Sequence, residues 1–133
     1  MNAMPLGARE SRALRDDLTD RKEVLRDEIR SALRDVSESN PKELAGPVYD
    51  LKDESLGQML RDVRLADMHR DIQELLDIDA ALQRMQSGCY GLCMDCDKPI
   101  PLARLRAYPT AKRCRPCQEI HERQRSAASH VNP

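Results

Sequence analysis

The pattern Cys93-x2-Cys96, a gap of 17 residues, then Cys114-x2-Cys117 constrains this chain more than any other feature of its sequence. Two cysteines separated by two residues can turn both sulfurs onto one ion from a single tight knuckle. Two such knuckles complete a tetrahedron with metal–sulfur distances of about 2.3 Å. The spacing predicts one bound Zn²⁺, held by Cys93, Cys96, Cys114 and Cys117. An iron–sulfur cluster or a pair of disulfides are the alternatives for the same residues. All four donors are thiolates, so no coordination position is left for water or substrate, and the predicted role is structural. The metal then supplies folding energy that a short, proline-rich loop cannot draw from a core. Cys89, the fifth cysteine, is expected as a partly buried thiol where helix meets finger.

The remaining sequence offers little material for a broad core. The 133 residues include no Phe, no Trp and three Tyr, and 34% are charged. A narrow seam of Leu, Ile and Val suffices for a helical arm, and the charge-rich composition fits a coiled-coil-like element. From about Arg9 to Ser37 the chain reads as a helix. Leu18, Leu25 and Ala32 recur every seven residues, interleaved with Ile29 and Val36. Lys22 falls on that seam, where its aliphatic stem can still pack. Ser39, Asn40, Pro41, Gly46 and Pro47 break the helix. A second helix is expected from about Ser55 to Gln86, capped by Asp53 or Ser55. Its seam reads Leu65, Met68, Ile72, Leu75 and Leu82, with Asp79 as a gap, and Ser87 and Gly88 end it.

These signals predict a mainly α protein. A long antiparallel coiled-coil hairpin is followed by a small four-cysteine zinc finger and a short C-terminal helix. The expected divisions are a disordered N-terminus (1–8), a coiled-coil arm (9–87) with its tip loop at 38–54, the finger (88–118), and a C-terminal helix and tail (119–133). That last helix should run from about Arg115 to Ala128. Pairing of two chains in parallel is the alternative to the hairpin, and the proline-containing break argues against such a continuous rod. A monomer is therefore expected.

Charge is unevenly distributed. Residues 1–97 carry 14 Lys/Arg against 21 Asp/Glu, whereas residues 98–133 carry 8 against 2. An acidic body with a basic end points to steering by a partner, and part of the basic charge would offset the excess negative charge of four thiolates around Zn²⁺. No stretch approaches the roughly 20 apolar residues of a membrane span. Met1 to Arg15 lack the apolar run of a secretory signal, so a cytoplasmic protein is expected. His69, His121 and His130 are scattered and read as solvated or locally packed. No glycine-rich phosphate loop and no nucleophile–base motif is present, so an enzyme is not expected.

The finger carries further detail. Gly88-Cys89-Tyr90-Gly91-Leu92-Cys93-Met94-Asp95-Cys96 leads into Asp97-Lys98-Pro99-Ile100-Pro101. Ala103-Arg104-Leu105 and Pro109-Thr110-Ala111 then precede Cys114 and Cys117. This stretch resembles the DksA/TraR family of bacterial zinc-finger transcription regulators. The resemblance implies a regulator that binds RNA polymerase rather than promoter DNA. It implies an arm that enters the secondary channel and acidic tip residues that approach the catalytic centre and alter open-complex stability. It also implies action with guanosine tetraphosphate in the stringent response. The family's tip motif Asp-x-x-Asp-x-Ala corresponds to Asp50-Leu51-Lys52-Asp53-Glu54-Ser55, with Ser55 replacing the alanine. Counted back from Cys93, Asp50 falls where long-armed members place the motif. Arg70 matches an alarmone-contact position, but Asp77, Tyr108 and Gln118 stand where alarmone-responsive members present basic residues. Two other readings use the same sequence. One is a nucleic-acid-binding zinc ribbon, drawing on Lys98, Arg104, Arg106, Lys112, Arg113 and Arg115. The other is a coiled-coil adaptor.

Overall fold

The computed structural model describes residues 6–38 and 51–131, with side-chain environments for residues 6–35 and 56–127. The expectation of a disordered N-terminus falls largely on residues 1–5, which lie outside the described residues. Four helices are described: α1 (Ala8–Glu38), α2 (Leu51–Ser87), α3 (Leu102–Ala107) and α4 (Arg115–Val131). Among the described residues no helix is long and apolar enough to cross a membrane. The mainly α class holds, with α1 and α2 forming the antiparallel helical hairpin that precedes the cysteine-rich segment.

Two boundaries differ from expectation. Helix α2 begins at Leu51, four residues before Ser55. Asp53 and Ser55 therefore lie inside the helix and neither caps it. Nothing between Leu51 and Ser55 breaks a helix, and acidic residues are favoured in a first turn by the positive end of the helix dipole. The segment between the long helices shortens accordingly to residues 39–50. Helix α3 was not expected at all. Its signal was present, since Pro101 stands directly before the helix formers Leu102-Ala103-Arg104-Leu105-Arg106-Ala107.

The chain divides into two compact units. The first is Asp20–Asp77. Here Leu25 is fully buried and Met68 nearly so. Ile29 and Ala32 are half-buried, as is Lys22, in keeping with a seam position whose stem packs. The Arg21 Nε donates to Glu74 Oε2 at 2.6 Å across the two helices. Glu74, foremost through this hydrogen bond, raises the Arg21 pKa, with Glu28 and Asp71 adding to the attraction.

The expected seam of α2 is partly wrong. Leu65 is 51% exposed and Ile72 39% exposed. A seam with alternating spacings of three and four runs instead through the buried or half-buried Met68, Asp71, Leu75, Ile78, Leu82 and Met85, with fully buried Ala81 beside it. The phase shift puts Ile78 on the packed face and leaves Asp79 exposed. Burying an isoleucine in place of a carboxylate is favourable by the whole desolvation cost of the charge. The matching concession is Asp71, only half-buried and close enough to Arg21 to attract it.

The second unit is Met1–Thr19 with Ile78–Pro133. Its core comprises Leu14 and Leu18 of α1, Ile78 and Ala81 of α2, and Tyr90, Cys93, Ile100, Leu105 and Ala111 further along. Gly88 ends α2 with φ 77°. The amide of Gly88 donates to the Met85 carbonyl at 3.3 Å, and that of Cys89 to the Arg84 carbonyl at 3.0 Å. This paired closure is a Schellman motif, which needs a left-handed residue that glycine adopts without strain. Cys89 is exposed, contrary to the expectation of partial burial. Its backbone closes the helix end while its thiol stays outside the core.

Candidate metal centre

The four thiols of Cys93, Cys96, Cys114 and Cys117 lie within 4.8 Å of one another. No other group of three or more potential ligands was found among the described residues. His69 is exposed and His121 half-buried, and neither belongs to that group. The Sγ atoms of Cys96 and Cys114 are 3.8 Å apart. Four sulfurs about 2.3 Å from a central ion, at tetrahedral angles, stand about 3.8 Å from each other. A disulfide requires about 2.05 Å. The donor set therefore fits a tetrahedral Zn²⁺, which Cys93, Cys96, Cys114 and Cys117 are positioned to hold.

The first knuckle is shaped by its backbone. Leu92 and Pro99 form an antiparallel bridge. The amide of Cys93 donates to the Lys98 carbonyl at 2.9 Å, and the amide of Asp97 donates back to the Cys93 carbonyl at 3.0 Å. Asp97 turns the chain at φ 62°, a conformation aspartate tolerates better than most side chains. The second knuckle leads into α4. Cys114 accepts the amide of Gln118 at 2.9 Å through its carbonyl, which places Cys114 at the N-cap and Cys117 in the first turn. The positive end of that helix therefore lies beside the thiolates, where it offsets negative charge. Met94 joins the two knuckles through its amide, which donates to the Lys112 carbonyl at 2.9 Å.

The sulfurs differ in their protonation. Burial pushes the Cys93 thiol up, but hydrogen bonds from the backbone amides of Cys96, Cys114 and Asp95 outweigh it and bring it down to about 6. The Lys98 amide pulls Cys96 down, but burial and the sulfurs of Cys93 and Cys114 prevail and hold it above its ordinary value. Cys117 is raised as well, chiefly by its hydrogen bond with Cys114 and then by burial. One sulfur ionises readily while two neighbours keep their protons, held by hydrogen bonds to the adjacent sulfurs and by burial. A bound dication displaces those protons and favours four thiolates.

A supporting shell holds the knuckles in place. Tyr90 is fully buried, and its hydroxyl donates to the Pro109 carbonyl at 2.6 Å. Burial raises its phenol to about 12, against a smaller opposing pull from Arg84. The Arg113 Nε donates to Asp95 Oδ2 at 2.9 Å, and the Arg104 Nε donates to the Arg113 carbonyl at 3.0 Å. The Arg104 guanidinium also sits 5.6 Å from the Tyr108 ring centroid, within cation–π range. Part of the finger's basic charge is thus engaged locally. The partner of Arg113 is the Asp95 carboxylate, inside the first knuckle. Sequence reasoning did not find Tyr90, Asp95, Arg104 or Arg113 as supports, because each contact joins residues at least nine apart through a backbone or carboxylate oxygen.

The other predicted site residues fall elsewhere. Asp53 and Ser55 lie on the opening turns of α2, and Asp50 lies outside the described residues. Arg70 is exposed and bonded to Asp67 one turn away. Tyr108 lies under Arg104, and Gln118 donates to Glu122 at 3.1 Å.

Residues 88–123 match the prokaryotic dksA/traR C4-type zinc finger. Over 74 residues the chain is 40% identical to the RNA polymerase-binding transcription factor DksA of Caulobacter vibrioides, covering 56% of this chain and 52% of that protein. The chain thus spans about half the length of that relative. An uncharacterized 8.2 kDa protein of Escherichia phage P2 is 45% identical over 51 residues, which make up 37% of this chain and 69% of the phage protein. The solved structure of transcription factor DksA2 from Pseudomonas aeruginosa is similar with a TM-score of 0.71 and 27% identity. It covers 90% of this chain, and the match takes in 88% of its own. The chain belongs to the DksA/TraR family of C4-type zinc-finger proteins.

Proposed function

We propose that this protein binds bacterial RNA polymerase and regulates transcription initiation. The arm formed by α1 and α2 enters the secondary channel, and Asp50, Asp53 and Ser55 act at its tip on open-complex stability. The protein acts by binding and not by catalysis, as a cytoplasmic monomer that reads no specific DNA sequence. Zn²⁺ keeps the finger folded and takes no part in the regulation itself.

The observation that carries this reading is the extent of the likeness to DksA2, which reaches 90% of the chain. The family's finger accounts only for residues 88–123, so the likeness must include the helical arm. The name of the Caulobacter relative supplies the partner, RNA polymerase. Arg70, which alone of the residues compared matches the family's alarmone-contact positions, is our candidate contact for guanosine tetraphosphate at the polymerase interface, secondary to the tip.

In vitro transcription from a ribosomal RNA promoter, with and without guanosine tetraphosphate, tests the proposal. The protein should change transcript yield, and the Asp50→Asn, Asp53→Asn double variant should bind polymerase yet leave the yield unchanged. Failure of the zinc-loaded protein to bind polymerase in a pulldown would exclude this function.

A further inference from the structure

The finger can lose its metal only if its two knuckles part, because each supplies two of the four sulfurs. Contacts beside the sulfurs oppose that parting. The Met94 amide donates to the Lys112 carbonyl at 2.9 Å. Next to it, Arg113 Nε donates to Asp95 Oδ2 at 2.9 Å in an ion pair. The place of this pair in the sequence is specific. Asp95 directly precedes Cys96, and Arg113 directly precedes Cys114. The sulfurs of Cys96 and Cys114 lie 3.8 Å apart, one from each knuckle. The ion pair therefore spans the same gap as those two ligands, one residue earlier on each side.

We propose that the Asp95–Arg113 pair is a clasp that sets how long the finger keeps its metal. Neither residue is a ligand, and both act through the positions of Cys96 and Cys114. While the clasp is closed, a sulfur that has let go stays beside its partners and returns at high effective concentration. With the clasp open, that return is slower. The pair suits this task better than an ordinary surface ion pair. The Arg113 side chain is 16% exposed, against 47% for Arg21 in its pair with Glu74 and 83% for Arg115 in its pair with Glu119. Less water reaches it, so screening is weaker. Its backbone is pinned as well, because the Arg104 Nε donates to the Arg113 carbonyl at 3.0 Å. The pair forms from a segment that is already ordered, which reduces the entropy lost in closing it. Neutralisation of the thiolates' negative charge is a different role for Arg113. In that role Asp95 would work against Arg113, so the two readings predict opposite effects of removing the carboxylate. The inference concerns the metal site and holds whatever partner the protein binds.

The test mixes excess chelator with the full-length, zinc-loaded protein and follows zinc release in time. Arg113→Met, Asp95→Ala and the double variant are compared with the unaltered protein. Methionine keeps an aliphatic stem at Arg113, and Asp95→Ala, at an exposed position, decides the matter if Arg113→Met misfolds. Each single variant should release zinc roughly two- to tenfold faster, and the double variant no faster than the quicker single one. Added salt should speed release from the unaltered protein and change the variants little. Cobalt-substituted forms should all keep the absorption of a tetrahedral four-thiolate site, as expected when the donor set is intact. Release from Asp95→Ala at the unaltered rate overturns the clasp. Slower release from that variant overturns it in favour of charge neutralisation by Arg113. Two effects that multiply in the double variant reveal residues acting independently and overturn it too. Loss of the cobalt absorption in Asp95→Ala would mean that the carboxylate builds the site instead of closing it, which also removes the clasp.

Discussion

The finger and the arm solve the problem of a thin core in opposite ways. The finger concentrates its fixed points: four sulfurs, one buried tyrosine and a handful of hydrogen bonds over some 30 residues. The arm spreads its stabilisation along two helices. Among the described residues of Asp20–Asp77, Leu25 and Met68 are the most buried apolar side chains, and many others remain exposed. A concentrated structure fails all at once when a fixed point is lost. A distributed one loses stability in steps, and its register can be read in more than one way.

Metal removal should have the largest effect. Structural zinc supplies apparent folding energy on the order of 10 kcal/mol or more in small fingers. Chelation, or Cys93→Ser, should unfold residues 88–118, with loss of protected amides there in hydrogen exchange. Most far-ultraviolet helical signal should remain, because α1 and α2 contain none of the four ligands. Loss of the arm's protection together with the finger's would show that the two regions are not separable.

Core truncation in the helices comes next, and it tests the register. Leu25→Ala removes a fully buried side chain and Ile78→Ala one that is 2% exposed, so each should cost about 2–5 kcal/mol in denaturant unfolding. Ile72→Ala, at a position that is 39% exposed, should cost no more than about 0.5 kcal/mol. The opposite ranking of Ile72 and Ile78 would restore the seam that the sequence suggests.

This contrast explains what was legible in the sequence. Ligand chemistry is local, so Cys93, Cys96, Cys114 and Cys117 announce themselves by type and spacing. The existence of both long helices was equally plain from the repeat of Leu18 and Leu25 and the absence of breakers. The phase of α2 was not. Leu75, Leu76, Ile78 and Leu82 offer apolar side chains to two competing seams, and only the pairing with α1 decides between them. The cap at Asp53 or Ser55 was misread because those residues suit a first turn as well as a cap. The bond from Tyr90 to Pro109 was invisible for a different reason: its acceptor is a backbone carbonyl 19 residues away.

Tyr90 offers a smaller and more specific test within the finger. Tyr90→Phe keeps the ring buried but leaves the Pro109 carbonyl without its donor, which should cost about 1–3 kcal/mol. The pH dependence tests the burial of the phenol, the cause of its raised pKa, separately from the hydrogen bond. The phenol is raised from 10 to about 12 in the folded protein, so the folded state holds its proton more tightly than the unfolded chain. That stability is fully present below pH 10 and is lost as pH rises from 10 through about 12. The fall in unfolding free energy over this window should be shallower in Tyr90→Phe. Parallel pH profiles for the two proteins would exclude this role for Tyr90.

The smallest effect belongs to the cross-helix pair in the arm. Arg21 and Glu74 have short, well-directed contact, yet both side chains are more than two-fifths exposed. Water and salt screen such a pair, and ordering two long side chains offsets part of the attraction, so Glu74→Gln should cost less than about 1 kcal/mol. Its effect should shrink as salt is raised. A double-mutant cycle with Arg21→Gln isolates the coupling, because each single change also alters interactions with Glu28 and Asp71. A coupling well above 1 kcal/mol, or one unchanged by salt, would mean that the arm too depends on a concentrated fixed point. The distinction between the two regions would then narrow to the metal alone.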